Sequence, residues 1–201
     1  MKEYYIEDTV KVGKNVTIEP YAVIKGNTVL DDGCYVGSFS YLCNAHIGSG
    51  TVVRSSRITD SSVGQNCTIG PNAHIRDSAT VSDNCRVGNF VEIKKSVLGD
   101  GTKASHLSYI GDATVGRGTN VGCGVIFVNY DGKVKHPTVV GENCFIGCNS
   151  NLVAPVTIGN NCFIACGTTV DKDVPDGAFS IGRSYLTVKE GRAVKYLKKT
   201  D

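Results

Sequence analysis

Residues 140–170 read VGENCFIGCNSNLVAPVTIGNNCFIACGTTV, and an aliphatic side chain returns at every sixth place: Val140, Ile146, Leu152, Ile158, Ile164 and Val170. Between these anchors lie Gly, Asn and other short polar residues, the types that accept left-handed backbone at turns. The same count runs through Val12, Ile18, Ile24, Leu30, Val36 and Leu42. It contracts by single residues around Ile47, Val53 and Ile58, then resumes from Val63 through Ile69, Ile75, Val81, Val87, Ile93 and Leu98. Nothing recurs at 3.6 residues, and no amphipathic stretch of about ten residues separates the strands, so helical and βαβ folds are excluded. A six-residue period at this length predicts an all-β parallel β-helix. Three hexads close one triangular coil, so residues eighteen apart stack at roughly 4.8 Å. About 27 hexads fit between Val12 and Val174, or roughly nine coils around one core.

The composition narrows the function classes. A chain of 201 residues supports one domain with a buried interior. A net charge of +2 with no Trp offers no clustered basic face for nucleic acid. No apolar run approaches a membrane span, and MKEYYIEDTV lacks the apolar core of a signal peptide, so a cytoplasmic protein is expected. The domain reads as residues 1–186, followed by a basic tail, 187–201, that ends in a loop and short helix.

Nine cysteines fit a reducing compartment. Cys34, Cys67, Cys85, Cys144 and Cys162 occupy the inward fifth place of a hexad and read as small core residues. Cys144, Cys148, Cys162 and Cys166 spell CxxxC twice. Each pair joins an inward position to a corner, so the four sulfurs cannot converge on zinc. The histidines at 46, 74, 106 and 136 do not stack at multiples of eighteen, which disfavours a metal-dependent hydratase of the γ-carbonic anhydrase kind. No metal is expected.

The count slips within Lys103–Lys135, KASHLSYIGDATVGRGTNVGCGVIFVNYDGKVK, where a histidine, tyrosines, asparagines and lysines gather. Residues 127–139, FVNYDGKVKHPTV, stand for two hexads plus one residue, or for one hexad plus seven extruded residues. The first alternative buries Lys133 unpaired, so an extruded loop is expected. On that count His106, Cys123, Cys148 and Cys166 share one corner of four successive coils. Small residues below a histidine describe a shallow channel for a slender ligand, although corners favour small residues in any case. Arg76 and Lys94, eighteen apart, stack at another corner. Two adjacent cations repel unless an anion lies between them, which suits an oxyanion such as phosphate; solvated surface charge is the alternative. His106 reads equally as a base or as a satisfied structural histidine.

The run KASHLSYIGDATVGRGTNVGCGV, then VNYDGKVKHPTVVGENCFIGCNSNLVAPVTIG and IGR, resembles the acetyltransferase half of the bacterial bifunctional N-acetylglucosamine-1-phosphate uridyltransferase/glucosamine-1-phosphate acetyltransferases, of the hexapeptide-repeat acyltransferase superfamily. The similarity runs from about residue 5 and is most specific through residues 69–183. It implies a left-handed β-helix, a homotrimer with sites between chains, and acetyl-CoA as co-substrate. By position, His106 matches the family's general base, and Arg76, Lys94, Tyr109 and Asn120 its amino-sugar phosphate site. Lys135 matches its loop lysine, and Cys123, Asn129, Tyr130, Cys148, Cys166 and Arg183 its acetyl-CoA site. Cysteines stand at 123, 148 and 166 where the family more usually has Ala or Ser. No LxAGxGTRM-like stretch occurs, so uridylyl transfer is not expected of this chain, and a separate uridyltransferase would act on the product.

The expected reaction is direct attack of a sugar amine on the thioester, with His106 taking the proton and a backbone N–H near Cys123 facing the oxyanion. An acetyl-Cys123 intermediate is the rival route. An acyltransferase for another amino sugar or a hydroxyl, or a non-catalytic hexapeptide scaffold, are the other classes. The stacked cations count against the first. The retained histidine and loop asparagine count against the second.

Overall fold

The protein is described here by a computed structural model covering residues 3–193. The helix expected near the C-terminus falls largely on residues outside that range. The chain is a left-handed parallel β-helix. One face is a ten-stranded parallel sheet, which sets about ten turns, and the other two faces join into a 17-stranded sheet. They join because Tyr41–Ile47 and Arg57–Val63 continue around a corner that every other coil breaks.

Beyond those two strands, the coils around the site contribute one strand to each face. The first face carries Thr80–Val81, Val97–Leu98, Ala113–Val115, Thr138–Val140 and Val156–Ile158. Arg86–Asn89, Lys103–His106, Asn120–Val121, Phe145–Ile146 and Phe163–Ile164 lie on the second. The third holds His74–Arg76, Glu92–Lys94, Tyr109–Gly111, Ile126–Val128 and Asn151–Val153. Strands of two or three residues are this short because left-handed residues such as Asn66, Asn84, Asn143 and Asn161 turn the chain at each corner.

The register follows the aliphatic count. Ile69, Val87, Ala104, Val121, Ile146 and Ile164 align in one inward column, and all are buried. Full burial of such a side chain contributes about 1.5–3 kcal/mol, and a solenoid collects this along its whole length. Where the count contracts, the coil shortens: Leu30 pairs with Ile47, 17 residues on, and Ile47 with Val63, 16 on. Val12 departs from the expected core, remaining 47% exposed because it lies on the terminal coil.

The inward cysteines do more than fill space. Cys144 donates its thiol hydrogen to the Gly159 carbonyl at 3.0 Å and accepts the amide of Cys162 at 3.4 Å. Thr119 occupies the same place one coil earlier, donating to the Gly141 carbonyl and accepting the amide of Cys144. Cysteine and threonine thus share one ladder, in which Cys67 likewise accepts the Cys85 amide and Thr51 the Cys67 amide.

The extruded segment is shorter than residues 127–139. Phe127 is fully buried in the core column, and Thr138–Val140 is a first-face strand. Ala113 pairs with Thr138, 25 residues on, whereas Thr138 pairs with Val156, 18 on. Seven additional residues therefore leave the prism, and Lys133 is exposed among them. The Asp131 carboxylate accepts the amides of Lys133 and Val134 and contacts His136 at 2.8 Å. These contacts hold the Asp131 carboxyl down at about 2, the Val134 amide contributing most. A bridge between Tyr130 and Lys135 closes the loop into a small hairpin.

Candidate active site

The third face is bounded by two chemically distinct edges. On the edge toward the first face, Arg76 lies opposite Lys94 in the parallel register, and Lys94 opposite Gly111. At the other edge, His106 pairs with Asn89 and precedes Leu107, whose φ of 49° turns the chain onto the third face. Tyr109 stands on the face between them.

The cation edge is not a pair of free positive charges. Arg76 donates through Nε and Nη2 to the Glu92 carboxylate at 2.8 and 2.6 Å, and through Nη1 to Asp77 at 2.6 Å. Lys94 donates to Asp112 at 3.3 Å, with both side chains only 11% exposed. Mutual repulsion of the two cations therefore does not call for a bound anion, because the fold supplies its own counter-charges. Arg76 still has N–H groups beyond those three bonds for a ligand, and the donors of Lys94 beyond its bond to Asp112 are shared with the neighbouring Lys135.

The loop folds back over this edge of its own chain. Asn129, 6% exposed, donates its amide to Asp112 at 2.6 Å and to the Tyr109 hydroxyl at 3.3 Å. The Lys94 ammonium beside Lys135 holds that lysine below its ordinary value. Burial pushes the Asp112 carboxyl up, but the hydrogen bonds from Asn129 and Lys94 outweigh it and leave the group lowered. A Cβ at Gly111 would strike the Tyr109 hydroxyl and come 2.7 Å from Asn129 Nδ2, so any larger residue there would displace one of these side chains. Asn129, which the resemblance assigns to the acyl donor, is thus placed with the residues assigned to the sugar phosphate.

The histidine edge holds the second group. His106 is exposed, and its ring has no protein hydrogen-bond partner among the described residues. The register of the second face continues its corner through Cys123, Cys148 and Cys166, and the Asn149 and Gly167 amides donate to the carbonyls of Cys123 and Cys148. Cys148 and Cys166 are exposed, and Cys123 is half-buried. Arg183 Nη1 donates to Cys166 Sγ at 3.4 Å. Small side chains ending at a guanidinium fit a slender ligand that terminates in an anionic group.

Asn120 stands apart from both groups, on the second face between Lys103 and Phe145 in register. Tyr130, 55% exposed, donates its hydroxyl to the Gly132 carbonyl within the loop. Sequence reasoning missed Glu92 and Asp112, the carboxylates that organise the cations. Coil spacing carries the signal for Asp112: Gly111 is the register partner of Lys94, and the Asp112 amide donates to the Lys94 carbonyl. It also missed the stacked rings of Phe145, Phe163 and Phe179, whose centroids are 4.8 and 5.6 Å apart on the second face beyond Asn120.

The repeat matches one known family. Residues 9–44, 60–95 and 137–172 match the family described as bacterial transferase hexapeptide (six repeats). The chain belongs to the bacterial hexapeptide transferases. Within this family it is 48% identical over 197 residues to the bifunctional protein GlmU of Clostridioides difficile, covering 98% of the chain and 43% of that relative. It is 52% identical over 185 residues to GlmU of Synechococcus elongatus, covering 92% and 41%. The matched part is the relatives' C-terminal region, and the chain spans about two-fifths of their length. The same hexapeptide fold occurs in the Arabidopsis UDP-N-acetylglucosamine acyltransferase, with a TM-score of 0.63 at 19% identity over 87% of this chain and 68% of that one. It occurs also in the corresponding Bacteroides fragilis enzyme, with a TM-score of 0.55 at 18% identity over 87% and 68%. Among the described residues no helix is long and apolar enough to cross a membrane, and no group of three or more His, Cys, Asp or Glu is placed to hold a metal ion.

Proposed function

We propose that this hexapeptide transferase acetylates the amine of glucosamine 1-phosphate, using acetyl-CoA and yielding N-acetylglucosamine 1-phosphate for UDP-N-acetylglucosamine synthesis. The observation that carries this reading is the third face itself. Cationic N–H donors occupy one edge, an imidazole unpartnered among the described residues the other, and the Tyr109 hydroxyl stands between them. A sugar phosphate laid across such a face sets its phosphate on the Arg76, Lys94 and Lys135 edge and turns its amine toward His106.

Three short steps then suffice. The donor enters along Cys123, Cys148 and Cys166, with an anionic end at Arg183. His106 accepts the ammonium proton, an assistance worth typically 10²–10⁴ in rate. The amine attacks the thioester carbonyl, the thiolate leaves and takes up a proton, and holding the two reactants together supplies much of the remaining acceleration. Asn120, on the second face, would join the site only across the contact between chains, and Tyr130 would close it from the loop.

We place the enzyme in the cytoplasm, acting as a homotrimer without nucleic acid or membrane, with residues 187–201 as a basic tail and a uridyltransferase consuming the product. The exposed Phe145, Phe163 and Phe179 stack supports burial against another chain, since contiguous apolar surface of this kind marks interfaces. Sedimentation at micromolar protein tests the assembly, and an active monomer would overturn it. The function is tested by free-thiol release from acetyl-CoA with glucosamine 1-phosphate, glucosamine and serine as acceptors. Turnover confined to glucosamine 1-phosphate is expected. Equal turnover with glucosamine would show that the phosphate is not read, and none with either sugar would remove the amino sugar as substrate.

A further inference from the structure

We propose that Asp112 is a positioning residue that sets the hydrogen-bond polarity of the acceptor site: its single carboxylate fixes which atoms of Lys94, Asn129 and Tyr109 remain to meet the ligand. The inference rests on the acceptor reading above.

Among the groups around Lys94 and Asn129, the Asp112 carboxylate can only accept. An ionised carboxylate has no hydrogen to give, so every neighbour must turn a donor toward it. Asp112 Oδ2 receives Lys94 Nζ at 3.3 Å and Asn129 Nδ2 at 2.6 Å, while Lys95 Nζ lies 3.9 Å from Oδ1. The Asn129 amide therefore cannot be reversed, since its carbonyl oxygen would then face a carboxylate. Its second N–H goes to the Tyr109 hydroxyl at 3.3 Å. With both donors taken, Asn129 Oδ1 is left as an acceptor with no protein partner among the described residues, on a side chain that is otherwise enclosed.

The consequence passes along the chain of bonds. Because the Tyr109 hydroxyl accepts from Asn129, its own hydrogen is directed elsewhere and is available to a ligand oxygen. Asp112 takes one N–H of Lys94 and Lys135 lies beside the same ammonium, so the donor left for a ligand is confined to the remaining side. The site thus presents donors from Lys94 and Tyr109 and an acceptor from Asn129. That set matches a ligand carrying an oxyanion beside a hydroxyl or amine, and it would misread one with those groups exchanged. Asp112 has a φ of 49°, a conformation that Asp and Asn tolerate better than most residues. An Asn at this position therefore keeps shape and backbone while losing the acceptor-only character.

The test is Asp112→Asn, analysed with Lys94→Met in a double-mutant cycle. The variant is expected to keep the wild-type circular dichroism and assembly, and to hold its KM for acetyl-CoA within about twofold. It should lose about 10- to 100-fold in kcat/KM for glucosamine 1-phosphate, the size of one or two charge-assisted contacts. Because Asp112 acts partly through Lys94, the double variant should fall well short of the product of the two single losses. A loss below about threefold, an equal rise in both KM values, or full additivity with Lys94→Met would overturn the proposal. If the wild-type protein does not acetylate glucosamine 1-phosphate at all, the acceptor reading fails, and the positioning claim is decided by lysine ammonium resonances. A slowly exchanging Nζ signal absent from Lys94→Met should be present in the wild type and lost in Asp112→Asn. Its persistence in Asp112→Asn would overturn the claim.

Discussion

Arg76 and Lys94 face each other across two successive turns of the β-helix, yet each is bound to a carboxylate of its own, Glu92 for Arg76 and Asp112 for Lys94. Like charges one strand apart are tolerable because each ion pair nearly cancels its own field. The donors left over point away from the carboxylates, and a phosphate can take them without displacing either partner.

Removal of one of these cations should weaken phosphate recognition more than turnover. Arg76→Ala and Lys94→Ala are each expected to raise KM for glucosamine 1-phosphate by about 10- to 100-fold, the value of a lost charge-assisted contact. The ratio of kcat/KM for glucosamine 1-phosphate over glucosamine should fall in parallel. Equal effects on both acceptors would show that neither cation reads the phosphate.

His106→Ala should lower thiol release by at least about 100-fold while acetyl-CoA binding, followed by calorimetry, stays unchanged, because the imidazole serves the amine and not the donor. Retention of more than about a tenth of the rate would take His106 out of the proton transfer.

Lys135 supplies a pH signature. Its folded value is lowered by the neighbouring Lys94 ammonium, and only the protonated form attracts phosphate. Acceptor kcat/KM should therefore be full at neutral pH and decline on the alkaline side, beginning below the ordinary lysine value of about 10.4. Lys135→Arg, which stays charged, should shift that limb upward or remove it. An alkaline limb identical in Lys135→Ala and wild type would assign it elsewhere.

Phe127→Ala should destabilise the protein by roughly 3–5 kcal/mol in reversible denaturation, since it empties a fully buried place where the loop departs. The third-face site should be perturbed with it, because Phe127 shares a strand with Val128, next to Asn129. A loss below about 1 kcal/mol would mean that the surrounding coil collapses into the gap.

The sequence by itself determined the β-helix, its stacking rule and the grouping of corner residues. A hexad repeat makes spacing and geometry nearly the same quantity, so Arg76 over Lys94 and His106 over Cys123 could be read from intervals of about eighteen residues. It also located the extruded segment, though with bounds too wide: Phe127 and Thr138 belong to strands, because burial extends the ladder until the first residue that cannot face the core. Only the tertiary structure decided what the site residues do to one another. Where the loop folds depends on long-range side-chain bonds, from Asn129 to Asp112 and Tyr109, and no periodicity encodes them. Whether stacked cations are free or paired depends on carboxylates at neighbouring corners, whose side chains can turn toward or away from them. Backbone register follows from a local repeat. The direction of a charged side chain follows from the sum of its neighbours, and that sum exists only once the coils have stacked.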